Sequence, residues 1–222
     1  MLGGTTVTNA GATVIDGNLG VSPGTAITGS PSVINGAIYT GSDPVALQAH
    51  ADAITAYNFV ATRPTGTNLS DQNLGGLTLT SGVYTFNTSA QLTGTLTLDT
   101  QGDPNAIFYF QIGTTFTTDA LSSVVTVGLG GAPATNIVWL VGSSATIGAT
   151  TSLEGTILAQ TSISLGANAS IVGRALAIDG AVTMNSNSIS NGMAAPVPEA
   201  NNIYCGLFGI GLTLVKLSGA SE

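Results

Sequence analysis

Threonine and serine side chains recur at one position of a sequence repeat in the C-terminal half of the chain. They come in pairs around an apolar residue, as in Thr115-Phe116-Thr117 and Ser162-Ile163-Ser164. On a β-strand the two flanking residues share one face, and the residue between them points to the other. A hydroxyl group both donates and accepts hydrogen bonds. The chemistry that this pattern offers is binding through uncharged hydroxyl groups.

We term the predicted binding surface the hydroxyl face. Its residues are small, uncharged and predicted to point outward from successive strands. They are Thr115, Thr117, Ser144, Thr146, Ser162, Ser164 and Thr183, together with Thr93, Thr6 and Thr8 from earlier strands. The apolar residues beside them, such as Ile147 and Leu165, are predicted to point into a core.

An 18-residue repeat must position these pairs. Leu140, Leu158 and Leu176 are each 18 residues apart, within three consecutive repeats that each contain three short apolar segments. Such a period predicts a β-solenoid, in which each repeat forms one triangular coil and equivalent residues stack in columns. We therefore expect a mainly β, parallel solenoid of about six coils.

The other two sides of the coil have different patterns. Strands such as IFYF and IVWLV are apolar on both sides, which predicts cover on both sides; we term this the helix-covered face. The cover is a predicted α-helix over about 44–62, with Asp43 as N-cap, Pro44 at its first position and a buried stripe of Leu47, Ala51, Ile54 and Ala61, which Tyr57 or Asn58 completes. The third face includes Asp99 and Glu154 and is predicted to be an ordinary solvated face.

Composition excludes several classes of function. The chain of 222 residues has 3 basic and 11 acidic residues and a net charge of -8, so nucleic acid and anionic membranes are not expected partners. The single histidine, His50, lacks a nucleophile partner, and the carboxylates are scattered. We therefore predict no enzymatic activity, no cofactor and no metal site.

The hydroxyl face permits two interpretations. Threonine and serine on exposed strands can reflect β-propensity alone. Alternatively, a rigid grid spaced by ~4.7–4.9 Å across coils and ~6.6 Å along a strand can order water, because these distances lie near repeats of hexagonal ice. The methyl groups would restrict water while the hydroxyl groups anchor it.

Longer stretches favour the second interpretation. Several stretches of the chain resemble the microbial ice-binding protein family. They are TTVTNAGATVIDGNLGVSPGTAITG, the Asp43-led helix, NLGGLTLTSGVYTFNTSAQLTGTLTLDTQGDPNAIFYFQIG and the three final coils. The resemblance covers nearly all of 2–189. It implies a discontinuous, right-handed β-solenoid with an axial helix, N-terminal coils that stack out of sequence order, and ice binding through the flat face of strands singled out above.

The last segment differs from the repeats. We predict a solenoid domain over 1–192 and a linker with an apolar tail over 193–222. Val-Pro-Glu, an apolar run and Lys216 resemble a PEP-CTERM sorting signal, and a terminal capping element is the alternative. The expected localisation is secreted or extracellular, with the leader absent from this chain, or sorted to the cell surface and associated with the envelope through the tail.

The predicted function is that of an antifreeze protein. Its partner would be the ice surface with its ordered water, and the expected effects are thermal hysteresis and inhibition of ice growth and recrystallisation in cold adaptation. The alternative is a structural or adhesive β-solenoid module of the cell surface or matrix.

Overall fold

The three predicted faces are present in the computed structural model, which describes residues 1–129 and 136–191. The predicted tail over 193–222 lies outside the described residues. The hydroxyl face contains β2 (Thr6–Ala10), β5 (Ala26–Thr28), β11 (Ala90–Leu92), β14 (Phe116–Thr118), β17 (Ala145–Ile147), β19 (Ile163–Leu165) and β21 (Val182–Asn185). Its seven strands exceed the expected coils by one.

The remaining strands form one continuous sheet around two sides of the solenoid. The helix-covered face contains β1 (Leu2–Gly3), β4 (Leu19–Val21), β7 (Ile38–Thr40), β8 (Thr67–Asn68), β10 (Gly82–Phe86), β13 (Phe108–Ile112), β16 (Ile137–Val141) and the second halves of β18 (Ser152–Ala159) and β20 (Ser170–Ala177). The third face contains β3 (Val14–Asp16), β6 (Ser32–Ile34), β9 (Thr78–Thr80), β12 (Thr95–Asp99), β15 (Ser123–Val127), β22 (Ser188–Ser190) and the first halves of β18 and β20. Because β18 and β20 continue around the corner, they join these two faces.

The coils stack out of sequence order. On the hydroxyl face the strands lie in the order β11, β14, β17, β19, β21, β2 and β5, all pairing in parallel. The N-terminal coil therefore packs against the last described coil, with Val7 opposite Val182 and Thr8 opposite Thr183. This order confirms what the resemblance implies.

Apolar side chains from all three faces fill the interior. Phe116, Ile147, Leu165 and Met184, which the pattern predicts to point inward, are all buried. The largest buried side chain is Trp139, whose ring stacks between Phe110 at 4.0 Å and Phe116 at 4.7 Å between centroids. Its indole N–H donates to the Glu154 carbonyl at 3.0 Å. Aromatic rings from the helix-covered face thus support the hydroxyl face from behind.

The helix α1 (Pro44–Ala61) begins as predicted. The Asp43 carboxylate accepts a hydrogen bond from the Val45 amide at 2.8 Å, and Pro44 occupies the first turn. The helix contacts β4 and β7 at one end and β13 and β16 at the other. It thus runs across the stack and carries the chain from the coil of β7 to the far end of the solenoid.

The predicted buried stripe of the helix is wrong. Leu47 and Ile54 are 48% and 37% exposed, and Ala51, Asn58 and Ala61 also face outward. The buried side is instead lined by Ala46, Ala49, Ala53, Ala56, Tyr57 and Val60, of which all but Ala46 pack on residues such as Leu140, Leu158 and Leu176. Small alanines face the sheet because its own leucines already fill the space beneath the helix.

Candidate functional site

The hydroxyl face is built from columns of stacked outward residues. The central column pairs Thr117 with Thr146, Thr146 with Ser164, Ser164 with Thr183, and Thr183 with Thr8. Thr115, Ser144, Ser162 and Thr6 occupy the preceding column, two residues earlier on each strand. The structure therefore brings nine of the ten predicted residues into these two adjacent columns.

One further residue was missed by sequence reasoning. Thr28 lies opposite Thr8 on the end strand β5 and extends the central column to six hydroxyl groups. Its sequence signal is the segment Ala26-Ile27-Thr28, which places an outward threonine beside an inward isoleucine. The segment lies far from the 18-residue repeats, and its position in the stack depends on the out-of-order packing.

Thr93 requires a correction. On β11, the end strand of the hydroxyl face, the residue opposite Thr117 is Gln91, not Thr93. Thr93 lies two residues further along, at the rim of the face, where its hydroxyl donates to the Asp119 carboxylate at 2.8 Å. The face therefore carries a carboxylate at one corner, although the pattern predicts none. The physical reason is a register shift of two residues: Ala90, not Leu92, pairs with Phe116. Because alternate residues of a strand face the same way, the sequence pattern alone does not distinguish Gln91 from Thr93.

The hydroxyl groups of the central column differ in how they are bonded. Thr183 donates to Ser164 at 3.1 Å. No hydrogen bond joins the hydroxyl groups of Thr8, Thr117 or Thr146 to another residue of 1–129 or 136–191. In the preceding column, Ser144 and Ser162 accept backbone N–H groups from the next coil at 3.3 and 3.2 Å. Most of the donor and acceptor capacity of the face is thus directed to solvent.

Glycines at the rim of the hydroxyl face allow adjacent coils to approach each other closely. Gly148 and Gly166 follow β17 and β19 at the rim, and a Cβ on either would lie 2.5 Å or 2.7 Å from the backbone of the adjacent coil. Only glycine allows the coils to stack so tightly here. At Gly148 and Gly166 the rim therefore has no side chain that could project beyond the threonine columns.

Comparison with known proteins identifies the family. A family model described as ice-binding-like matches residues 1–190. The chain belongs to the ice-binding-like family. An ice-binding protein from Nostoc sp. (strain HG1) is 55% identical over 193 residues, which cover 86% of this chain and 70% of that protein.

Solved structures of ice-binding proteins share the fold. An ice-binding protein from an Antarctic biological consortium is similar with a TM-score of 0.79 and 45% identity, over 85% of this chain and 86% of that one. An ice-binding protein from the ascomycete Antarctomyces psychrotrophicus has the same TM-score and 38% identity, over 85% and 92% of the two chains.

Metal-ligating clusters, the single histidine and apolar helices are the other features that bear on function in this member of the ice-binding-like family. In the part of the chain that the structure describes, no three His, Cys, Asp or Glu side chains come together as a metal site would require. His50 lies on the helix with Nε2 3.0 Å from the Ile178 carbonyl oxygen, a contact between helix and solenoid. Within residues 1–129 and 136–191, no helix is long and apolar enough to span a bilayer.

Proposed function

We propose that this protein is an antifreeze protein that adsorbs to ice through the hydroxyl face. The observation that supports this is the grid of Thr115, Thr117, Ser144, Thr146, Ser162, Ser164, Thr183, Thr6 and Thr8, extended by Thr28, on parallel strands. Adjacent strands of such a grid are ~4.7–4.9 Å apart and alternate residues ~6.6 Å apart. Both distances lie near repeats of hexagonal ice.

The physical basis is the ordering of water before contact with the crystal. Each threonine presents a methyl group, which restricts the orientations of nearby water, and a hydroxyl group, which anchors it. Because the strands are fixed by backbone ladders and a packed core, the anchored waters keep regular positions. A crystal can then incorporate that layer, and growth stops where the protein is bound.

The remaining features of the proposal follow from this mode of action. Ice and its ordered water would be the partner, and the protein would have no catalytic role, no cofactor, no metal and no nucleic-acid partner. We propose that it acts outside the cell, where ice forms. The division into a binding domain over 1–192 and a tail over 193–222, and envelope association through that tail, stay predictions.

A matched pair of serines tests the proposal. Ser164 lies on the hydroxyl face in β19, and Ser170 lies on the third face at the start of β20; both are partly exposed residues that face outward. An aspartate carboxylate binds water strongly in its own geometry, so Ser164→Asp should reduce the fraction of protein taken up by slowly growing ice at least about tenfold, equivalent to ~1.4 kcal/mol. Ser170→Asp should be taken up like the unaltered protein.

The outcomes separate the face from the function. Loss of uptake with Ser170→Asp but not Ser164→Asp would move the site to the third face. Rejection of the unaltered protein by ice would refute the proposal and favour the structural or adhesive module. The thermal unfolding of both variants by circular dichroism checks that each is folded.

A further inference from the structure

The first-strand end of the hydroxyl face carries a cluster of polar side chains bonded to one another. Asp119 accepts from the Thr93 hydroxyl at 2.8 Å and lies 3.5 Å from the Gln91 amide nitrogen. Asn73 donates to the Thr93 hydroxyl at 2.9 Å. The Thr93 oxygen therefore uses its proton for a carboxylate and accepts from an amide, so little of its capacity is left for water.

This end differs from every other coil of the face. In the rim column that contains Thr93 and Asp119, the following coils have Gly148, Gly166, Asn185 and Ala10. In the central column, Gln91 stands where all other coils have threonine or serine. Among the described residues of these columns, Asp119 is the only charged one.

A carboxylate opposes the ordering that the threonine columns favour. Its oxygens accept strong, short hydrogen bonds from water, and its charge orients water toward itself rather than into a lattice. The Gln91 side chain is longer and has more rotatable bonds than threonine, so it does not hold water at a fixed height. Water above this corner is therefore organised by Asp119 rather than by the grid.

We propose that Asp119 and Gln91 form the boundary of the ice-binding surface and limit its activity. This inference rests on the proposed function. The effective site would extend from Thr117 to Thr28 and exclude the coil of β11. Removing the boundary would allow the ordered water layer to extend over a seventh coil.

Substitutions that copy the other coils test this boundary. The double variant Gln91→Thr/Asp119→Gly gives the first coils the residues found further along the face. At equal concentration it should widen the gap between melting and freezing of a single ice crystal at least about 1.2-fold, since the area of ordered water grows from six coils to seven. Asp119→Asn, which removes only the charge, should give a smaller increase.

The matched control is Asp103→Asn, in the loop after β12. There the Asp103 carboxylate accepts a hydrogen bond from the backbone N–H of Asn105 at 2.8 Å. It should leave the gap unchanged. A gap in both Asp119 variants that equals or falls below that of the unaltered protein would overturn the inference. If the unaltered protein itself has no gap, the proposed function fails instead. Should the double variant not fold, the result for Asp119→Asn decides the inference.

Discussion

Replacing Thr146 by tyrosine is expected to abolish the shaping of ice crystals and to reduce the freezing-point gap to less than about a tenth. Thr146 is exposed in the middle of the central column, between Thr117 and Ser164. A phenol ring there stands several ångströms above its neighbours. A flat crystal surface would then lose contact with residues on both sides, so one substitution affects the whole face. The gap is measured on a single crystal in a nanolitre osmometer.

The control for this prediction lies on the same coil. Ser152 is an exposed, outward residue of the third face, and Ser152→Tyr adds the same ring at a position away from the hydroxyl face. We expect Ser152→Tyr to retain the full gap and crystal shape. Retention of activity by Thr146→Tyr together with its loss in Ser152→Tyr would mean that the third face binds ice.

Replacing Trp139 by alanine is expected to have the largest effect on stability, about 3–5 kcal/mol of unfolding free energy. The indole is fully buried and stacks on Phe110 and Phe116, with interplanar angles of 9° and 7°. Each such aromatic pair contributes about 0.5–1.5 kcal/mol beyond the area that it buries. The substitution also removes the indole N–H that donates to the partly buried Glu154 carbonyl. Urea unfolding followed by circular dichroism measures the loss.

Trp139→Phe separates packing from hydrogen bonding at this site. It keeps a ring in the stack but removes the N–H donor and part of the volume, so a smaller loss of about 1–2 kcal/mol is expected. Because Phe116 lies directly behind Thr115 and Thr117, Trp139→Ala should also reduce ice activity by loosening that part of the face. A cost below about 1 kcal/mol for Trp139→Ala would show that the aromatic stack is not central to the core.

The repeated coils made much of the fold predictable. Over 137–190 the spacing of 18 residues places Leu158 opposite Leu140 and Leu176, and Ser164 opposite Thr146 and, one residue out of step, Thr183. In a parallel stack, equal spacing means equal position, so one repeat assigns residues to faces. The alternation of apolar and hydroxyl residues then separates inward from outward side chains.

Earlier coils were less predictable because their lengths differ. Gln91 and Thr117 are 26 residues apart, and Thr117 and Thr146 are 29 apart. With turns of unequal length, the sequence allows Gln91 or Thr93 to occupy the central column, and the structure places Gln91 there. The position of Thr28 depends on pairing between β2 and β5 at the far end of the stack, which no spacing in the sequence reveals.

The prediction of which side of the helix is buried was wrong for a different reason. Asp52 is the only charged residue between Pro44 and Ala61, and apolar residues occur on every side of the helix. Periodicity then identifies two stripes, one with Leu47 and Ile54 and one with Ala46, Ala53 and Val60. Large residues suggest the buried stripe in an isolated pattern, but the leucines of the sheet leave room only for the small one.

The most direct test of the central claim is the growth of a single ice crystal in dilute, unaltered protein. The crystal is melted to a small disc and cooled slowly by fractions of a degree below its melting point. We predict that facets develop and that growth halts over a measurable temperature gap, because adsorbed hydroxyl faces pin the surface. A disc that stays round and grows as it does in buffer would contradict the account.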